Sequence, residues 1–166
     1  MTKREREITD PEMILDFLSR GQIIHLGLCD GDQPYVVPMN YGFTMEDGEL
    51  TFYVHGAVKG YKYEVLAKNP KVSFSIECDV NPFSGKTACQ YGTSYSSVLG
   101  KGIAKIVENP QEKMRALTIL MKTQTGRDFE FNEKLVSIVN VIEIKVSAYS
   151  AKQRPFPEGM KKEQGN

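Results

Sequence analysis

The sequence predicts a mainly β chain with a few helices, folded as a small barrel of six mostly antiparallel strands. Three observations predict it. Apolar runs of strand length recur along the chain, Asp-Gly turns join the first three of them, and helical spacing is confined to short stretches. The 166 residues fit one domain. Residues 1–154 read as that domain, and 155–166, polar and carrying Pro155 and Pro157, read as a flexible C-terminal tail.

The first element is a helix. Asp10 suits an N-cap, Pro11 suits the first helical position, Ile14, Phe17 and Leu18 share one face, and Gly21 marks the stop. Ile23 to Leu28 is a buried strand, in which His25 reads as a hydrogen-bonded core histidine. Asp30-Gly31-Asp32 turns the chain into a second strand, Tyr35 to Tyr41. Glu46-Asp47-Gly48 turns it into a third, Leu50 to Val54, so the three form an antiparallel meander. Pro38 cannot donate to a ladder, which places its strand at an edge or a bulge.

A glycine loop, Gly56 to Gly60, leads into a short helix from Tyr61 to Lys68, ended by Asn69-Pro70. Val72 to Ile76 alternates with period two and is the fourth strand. Residues 79–93 read as one long loop and the candidate lid or substrate-selecting segment. Tyr95 to Val107 is the fifth strand, with Gly100 and Gly102 as bend or bulge positions. Asn109-Pro110 opens a third helix, and Leu135 to Ser147 is the last strand.

Composition narrows the function. Lys and Arg together number 21 and so do Asp and Glu, a zero net charge that argues against a nucleic-acid partner. No apolar run is long enough to span a bilayer, and the charged start, Met1 to Glu7, lacks the apolar stretch of a secretory signal, so a cytoplasmic protein is expected. Three scattered cysteines, Cys29, Cys78 and Cys89, and two histidines give neither a disulfide framework nor a metal site. Ser94 to Ser97 lacks the surroundings of a hydrolase nucleophile.

One constellation remains. His55-Gly56-Ala57-Val58-Lys59-Gly60-Tyr61-Lys62 runs from a strand end through a flexible loop into a helix start. Free N–H groups at a helix start, with two lysines beside them, suit a phosphate. The loop is neither a Walker loop nor a dinucleotide fingerprint.

The order of motifs resembles the pyridoxamine 5′-phosphate oxidase-like flavoproteins. The resemblance rests on Tyr35 to Tyr41, Phe52 to Ala57, Gly60-Tyr61-Lys62 and Asn69 to Phe74, and spans roughly residues 5–152. The nitroimidazole-resistance branch is the closer match. There a P-x-N strand (Pro38-Met39-Asn40) precedes an H-x-A-x-x-G-x-K loop (His55 to Lys62), and a Tyr-Ser-Ser-Val strand (Tyr95 to Val98) and a glycine (Gly100) follow. This resemblance implies a split β-barrel that forms a homodimer with FMN at the interface. It places Val37, Pro38, Met39, Asn40 and Tyr41 along the flavin ring, continued by Tyr53, Val54 and His55. It gives the FMN phosphate to Lys62, assisted by Lys59, and sets Ser96 and Ser97 near the flavin or ribityl chain. His55 becomes the candidate catalytic residue. Where true oxidases carry arginines this chain has Tyr35 and Tyr61, and it has no tryptophan, so pyridoxamine phosphate oxidation is not expected.

The resemblance therefore implies an FMN-dependent oxidoreductase reducing small electron-poor molecules (nitroimidazole, nitroaromatic or quinone type), with NAD(P)H as the candidate electron donor. The alternatives are a non-catalytic flavin store or sensor, a haem-binding split barrel in which His25 and His55 are the only histidine ligands, and a protein for another ligand such as a deazaflavin.

Overall fold

The computed structural model describes residues 4–162; Met1 to Lys3 and the last four residues of the expected tail lie outside the described residues. The chain order is β1 (Glu7–Ile8), α1 (Pro11–Arg20), β2 (Ile23–Asp30), β3 (Gln33–Glu46), β4 (Glu49–Ala57), α2 (Tyr61–Lys68), β5 (Lys71–Ser84), β6 (Gly92–Val107), α3 (Pro110–Thr125), α4 (Glu133–Val136), β7 (Val139–Arg154) and β8 (Lys161–Lys162). Every strand pair is antiparallel. The sheet runs β7-β4-β3-β2-β5-β6, and β6 pairs back with β7 to close a six-stranded barrel. The two-residue strands β1 and β8 are additions at its margin.

Alternation fills the barrel. Ile24, Leu26 and Leu28 of β2, Tyr41 of β3, Phe52 and Val54 of β4 and Phe74 and Ile76 of β5 all point into one apolar core. Helix α1 begins as the sequence predicts, with the Asp10 carboxylate accepting from the Glu12 N–H. Its Ile14, Phe17 and Leu18 are buried, each contributing roughly 1.5–3 kcal/mol of apolar burial. Helices α3 and α4 cover the outer face of the wall, where Tyr53, Leu117, Val136 and Val141 form a second cluster.

The barrel is split. Pairing of β3 with β4 ends at Tyr41 and Val54. Beyond it, residues 33–40 of β3 stay on β2, while His55, Gly56 and Ala57 of β4 stay on β7. Pro38 lies in this half of β3, which among the described residues pairs on one side only, as its missing N–H requires.

Three expectations need correction. His25 is not in the core. Its neighbours Ile24 and Leu26 take the inward positions, so its side chain points outward, 47% exposed, with Nδ1 3.3 Å from Glu77 Oε2. Residues 79–93 are not one loop. After a register shift between Cys78 and Asn81, β5 pairs Asn81, Pro82 and Phe83 with β6, leaving 85–91 as the connection. Contacts from Arg154 and Phe156 outweigh the local Asn-Pro turn signal. Phe83 is buried beneath the Arg154 guanidinium (4.8 Å) and the Phe156 ring (5.7 Å). Finally, the last strand starts at Val139 and runs to Arg154, because the Asn132 side chain accepts from the Leu135 N–H and caps a helical turn where the strand was expected.

Candidate functional site

The split brings strand ends and a helix start together at Gly56. Helix α2 opens after Gly60, whose φ of 154° favours glycine. In its first turn, Lys62 reaches back over the barrel end. Its ammonium stands 4.7 Å from the centre of the Tyr63 ring, within cation–π range. A Cβ on Gly56 would lie 2.9 Å from the Tyr63 hydroxyl and 3.0 Å from Lys62 Nζ. Glycine is therefore required for these two donors to converge on the strand.

Two buried side-chain atoms lack a hydrogen-bond partner among the described residues, His55 Nδ1 and the Tyr63 hydroxyl. Both adjoin Gly56. Burial lowers the His55 pKa from its ordinary value, so the imidazole is neutral at pH 7. Burial raises that of Tyr63, so its phenol keeps its proton.

Opposite His55, across the split, Asn40 lies exposed on β3. Its Nδ2 donates to the Gln22 carbonyl (3.1 Å) and to Gln124 Oε1 (3.4 Å), and Gln124 Nε2 donates to the Tyr41 carbonyl (2.7 Å). Gln124 is near the end of α3, which approaches β3 closely because Gly42 has no side chain. Asn140 of β7 donates to the Val58 carbonyl at 2.9 Å and ties down the glycine loop.

The other sequence candidates divide by face. Met39, Tyr41 and Val54 point into the core and Val37 packs against it, so their backbones, not their side chains, line the split. The Tyr41 hydroxyl is spent on the Leu18 carbonyl at 2.6 Å. Pro38 is exposed on the outer face, Tyr53 lies beneath α3 and α4, and Lys59 is exposed on the loop. Ser96 and Ser97 are elsewhere. In one direction β3, β2 and β5 intervene between them and His55. In the other, His55 faces Val141 on β7 while Ser97 faces Lys152, far along the same strand. Ser96 instead accepts from Gln153 at 3.2 Å and donates to Asp79 at 3.5 Å. A single chain does not bring the serines to His55.

Tyr35 and Tyr61, the two positions of expected arginines, pack together with ring centres 5.1 Å apart. The Tyr61 hydroxyl donates to Asp30 at 2.8 Å, and this bond, followed by that from Lys68, lowers the Asp30 pKa. Cys78 is buried and its thiol pKa is pushed up to about 11 by burial first and by Asp79, which leaves it unreactive. The candidate groove is the gap left where β3 and β4 part beyond Tyr41 and Val54.

A family model described as pyridoxamine 5′-phosphate oxidase matches residues 10–153. The chain belongs to the pyridoxamine 5′-phosphate oxidase family. Solved structures extend the likeness. A candidate 5-nitroimidazole antibiotic resistance protein from Bacteroides thetaiotaomicron is 28% identical with a TM-score of 0.75, over 89% of this chain and 86% of that one. The FAD and heme binding protein from Mycobacterium smegmatis (16% identity, TM-score 0.75, 92% of this chain and 76% of that one) shares the fold. So does the flavocytochrome Anf3 from Azotobacter vinelandii (19% identity, TM-score 0.73, 93% and 73%). A search of curated proteins finds no significant match. This member of the pyridoxamine 5′-phosphate oxidase family thus carries its Lys62, Gly56 and His55 at the split of the barrel, with Asn40 and Gln124 on the facing strand and helix. Sequence reasoning passed over Tyr63, Gln124 and Asn140. Their partners, or lack of them, arise from contacts between separate elements.

Proposed function

We propose that this chain is an FMN-binding flavoprotein that acts as a homodimer and reduces small electron-poor acceptors, of nitroimidazole, nitroaromatic or quinone type, at the expense of NAD(P)H. The observation that carries the reading is the unpartnered, buried Tyr63 hydroxyl at Gly56, beside the Lys62 ammonium, with a second unpartnered atom, His55 Nδ1, on the other face of the same strand end. An unpartnered buried polar group costs about 1–3 kcal/mol. Such atoms at the place where β3 and β4 part fit a site whose missing hydrogen-bond partners come from a ligand.

Bound FMN would supply the redox chemistry, and the protein would supply orientation and electrostatics. Lys62 and the free N–H groups of the first turn of α2 would hold the phosphate, with Lys59 adding charge from the loop. Asn40 and the backbone of Val37 to Tyr41 would line one wall, and the backbone of Tyr53 and Val54 would continue it. His55, neutral at pH 7, would hold a proton on one ring nitrogen and leave the other free to accept. One chain keeps Ser96 and Ser97 away from His55, so a role for the serines at the flavin would require a second copy of the chain. The 28% identical resistance protein supports the choice of acceptor class.

The test is acceptor-dependent oxidation of NAD(P)H by FMN-loaded protein, with a nitroimidazole and a quinone. Turnover that disappears when FMN is removed is the expected result. Bound FMN without turnover of any acceptor would instead establish a flavin store or sensor, and a Soret band on haem addition would establish the haem reading.

A further inference from the structure

We propose that the Tyr63 hydroxyl is a second side-chain donor to the phosphate group held by Lys62, and so determines selectivity for a phosphorylated ligand. The inference rests on the phosphate placement proposed above and adds a residue to it.

Tyr63 is 8% exposed and its ring belongs to the barrel core, so its position is fixed by packing. A phenylalanine would supply the same packing. The oxygen adds only the cost of stripping water from a hydroxyl, which nothing among the described residues repays. That oxygen does not point into an apolar core void. It converges with Lys62 Nζ on the place where a Gly56 side chain would stand, at the first turn of α2. A phosphomonoester carries nearly two charges and takes several donors, and Lys62 offers one cation. The neighbouring tyrosine cannot help, because the Tyr61 hydroxyl is bound to Asp30. Since burial keeps the Tyr63 phenol protonated, it acts as a donor.

The experiment compares wild type with Tyr63→Phe by fluorescence titration against FMN and against riboflavin, which lacks the phosphate, and by thermal unfolding of the ligand-free proteins. The variant should bind FMN roughly 10- to 100-fold more weakly, the effect of a hydrogen bond to a charged acceptor. Riboflavin affinity should not change, and the free protein should melt at an equal or higher temperature. FMN binding within twofold of wild type overturns the inference and leaves the flavin reading intact. An equal loss for riboflavin also overturns it, since the hydroxyl would then act through structure. If wild type binds no flavin, inorganic phosphate and pyrophosphate are the probes in the thermal assay. A phosphate-induced rise in melting temperature that Tyr63→Phe abolishes keeps the donor assignment without the flavin, whereas no phosphate response in wild type, or the same rise in both proteins, overturns it.

Discussion

Replacing Gly42 by alanine tests whether the contact between α3 and β3 supports the groove. The new Cβ would stand 2.4 Å from Leu120 Cα and 2.5 Å from Leu120 N, with Ile119 C at 2.8 Å. Carbon atoms pack at about 3.5–4.0 Å, so the helix must retreat by about 1 Å. These are backbone atoms, and no side chain can swing aside. Overpacking of this kind costs roughly 1–3 kcal/mol. Retreat also breaks the Gln124 bond to the Tyr41 carbonyl, worth about 1 kcal/mol. The total is about 2–4 kcal/mol. At roughly 2–4 °C per kcal/mol for a chain of this size, the melting temperature should fall by about 5–15 °C. The control is Gly48→Ala, in the turn between β3 and β4. Its φ of 82° strains alanine, but nothing lies within 4 Å of the new carbon, so the loss should be near 1–2 kcal/mol. Thermal unfolding followed by circular dichroism measures both. A Gly42→Ala loss no greater than that of Gly48→Ala would refute the steric reasoning.

Two further outcomes follow from the site. The His55 pKa is lower in the folded state than its ordinary value of 6.5. As pH falls through about 6.5 the unfolded chain takes up a proton that the folded chain refuses, so stability declines with acidification until the folded pKa is passed. His55→Gln should flatten urea-unfolding stability between pH 7 and pH 5 relative to wild type, and an unchanged pH slope would remove His55 as the cause. If Lys62 holds the phosphate as proposed, Lys62→Ala should weaken FMN by roughly tenfold or more and riboflavin far less; equal losses in parallel titrations would contradict that role.

Much of the fold was legible because alternation and turn chemistry act locally. The six barrel strands, the Asp10 cap and the edge position of Pro38 all follow from short-range rules. The misread segments are those decided by distant contacts. Phe83 extends β5 because Arg154 and Phe156 bury it, and Asn132 stops what reads as an unbroken strand. His25 shows a different limit. An apolar run does not say whether one face or both are buried, and here one face is open.

The candidate site was legible in its charges and not in its unmet hydrogen bonds. The glycine loop and Lys62 stand out in the chain, but Tyr63 reads as an ordinary helical residue. Its significance lies in the absence of a partner, which only the packed barrel reveals. Gln124 likewise meets Asn40 only because α3 folds back across Gly42.

The most direct measurement is a titration of the purified, ligand-free protein with FMN, read by flavin fluorescence and checked by the absorption spectrum after desalting. Saturable binding, with flavin bands retained on the protein, is the predicted result. A protein that stays colourless and leaves flavin fluorescence unchanged at every FMN concentration would contradict the assignment of the groove at Gly56 to a flavin.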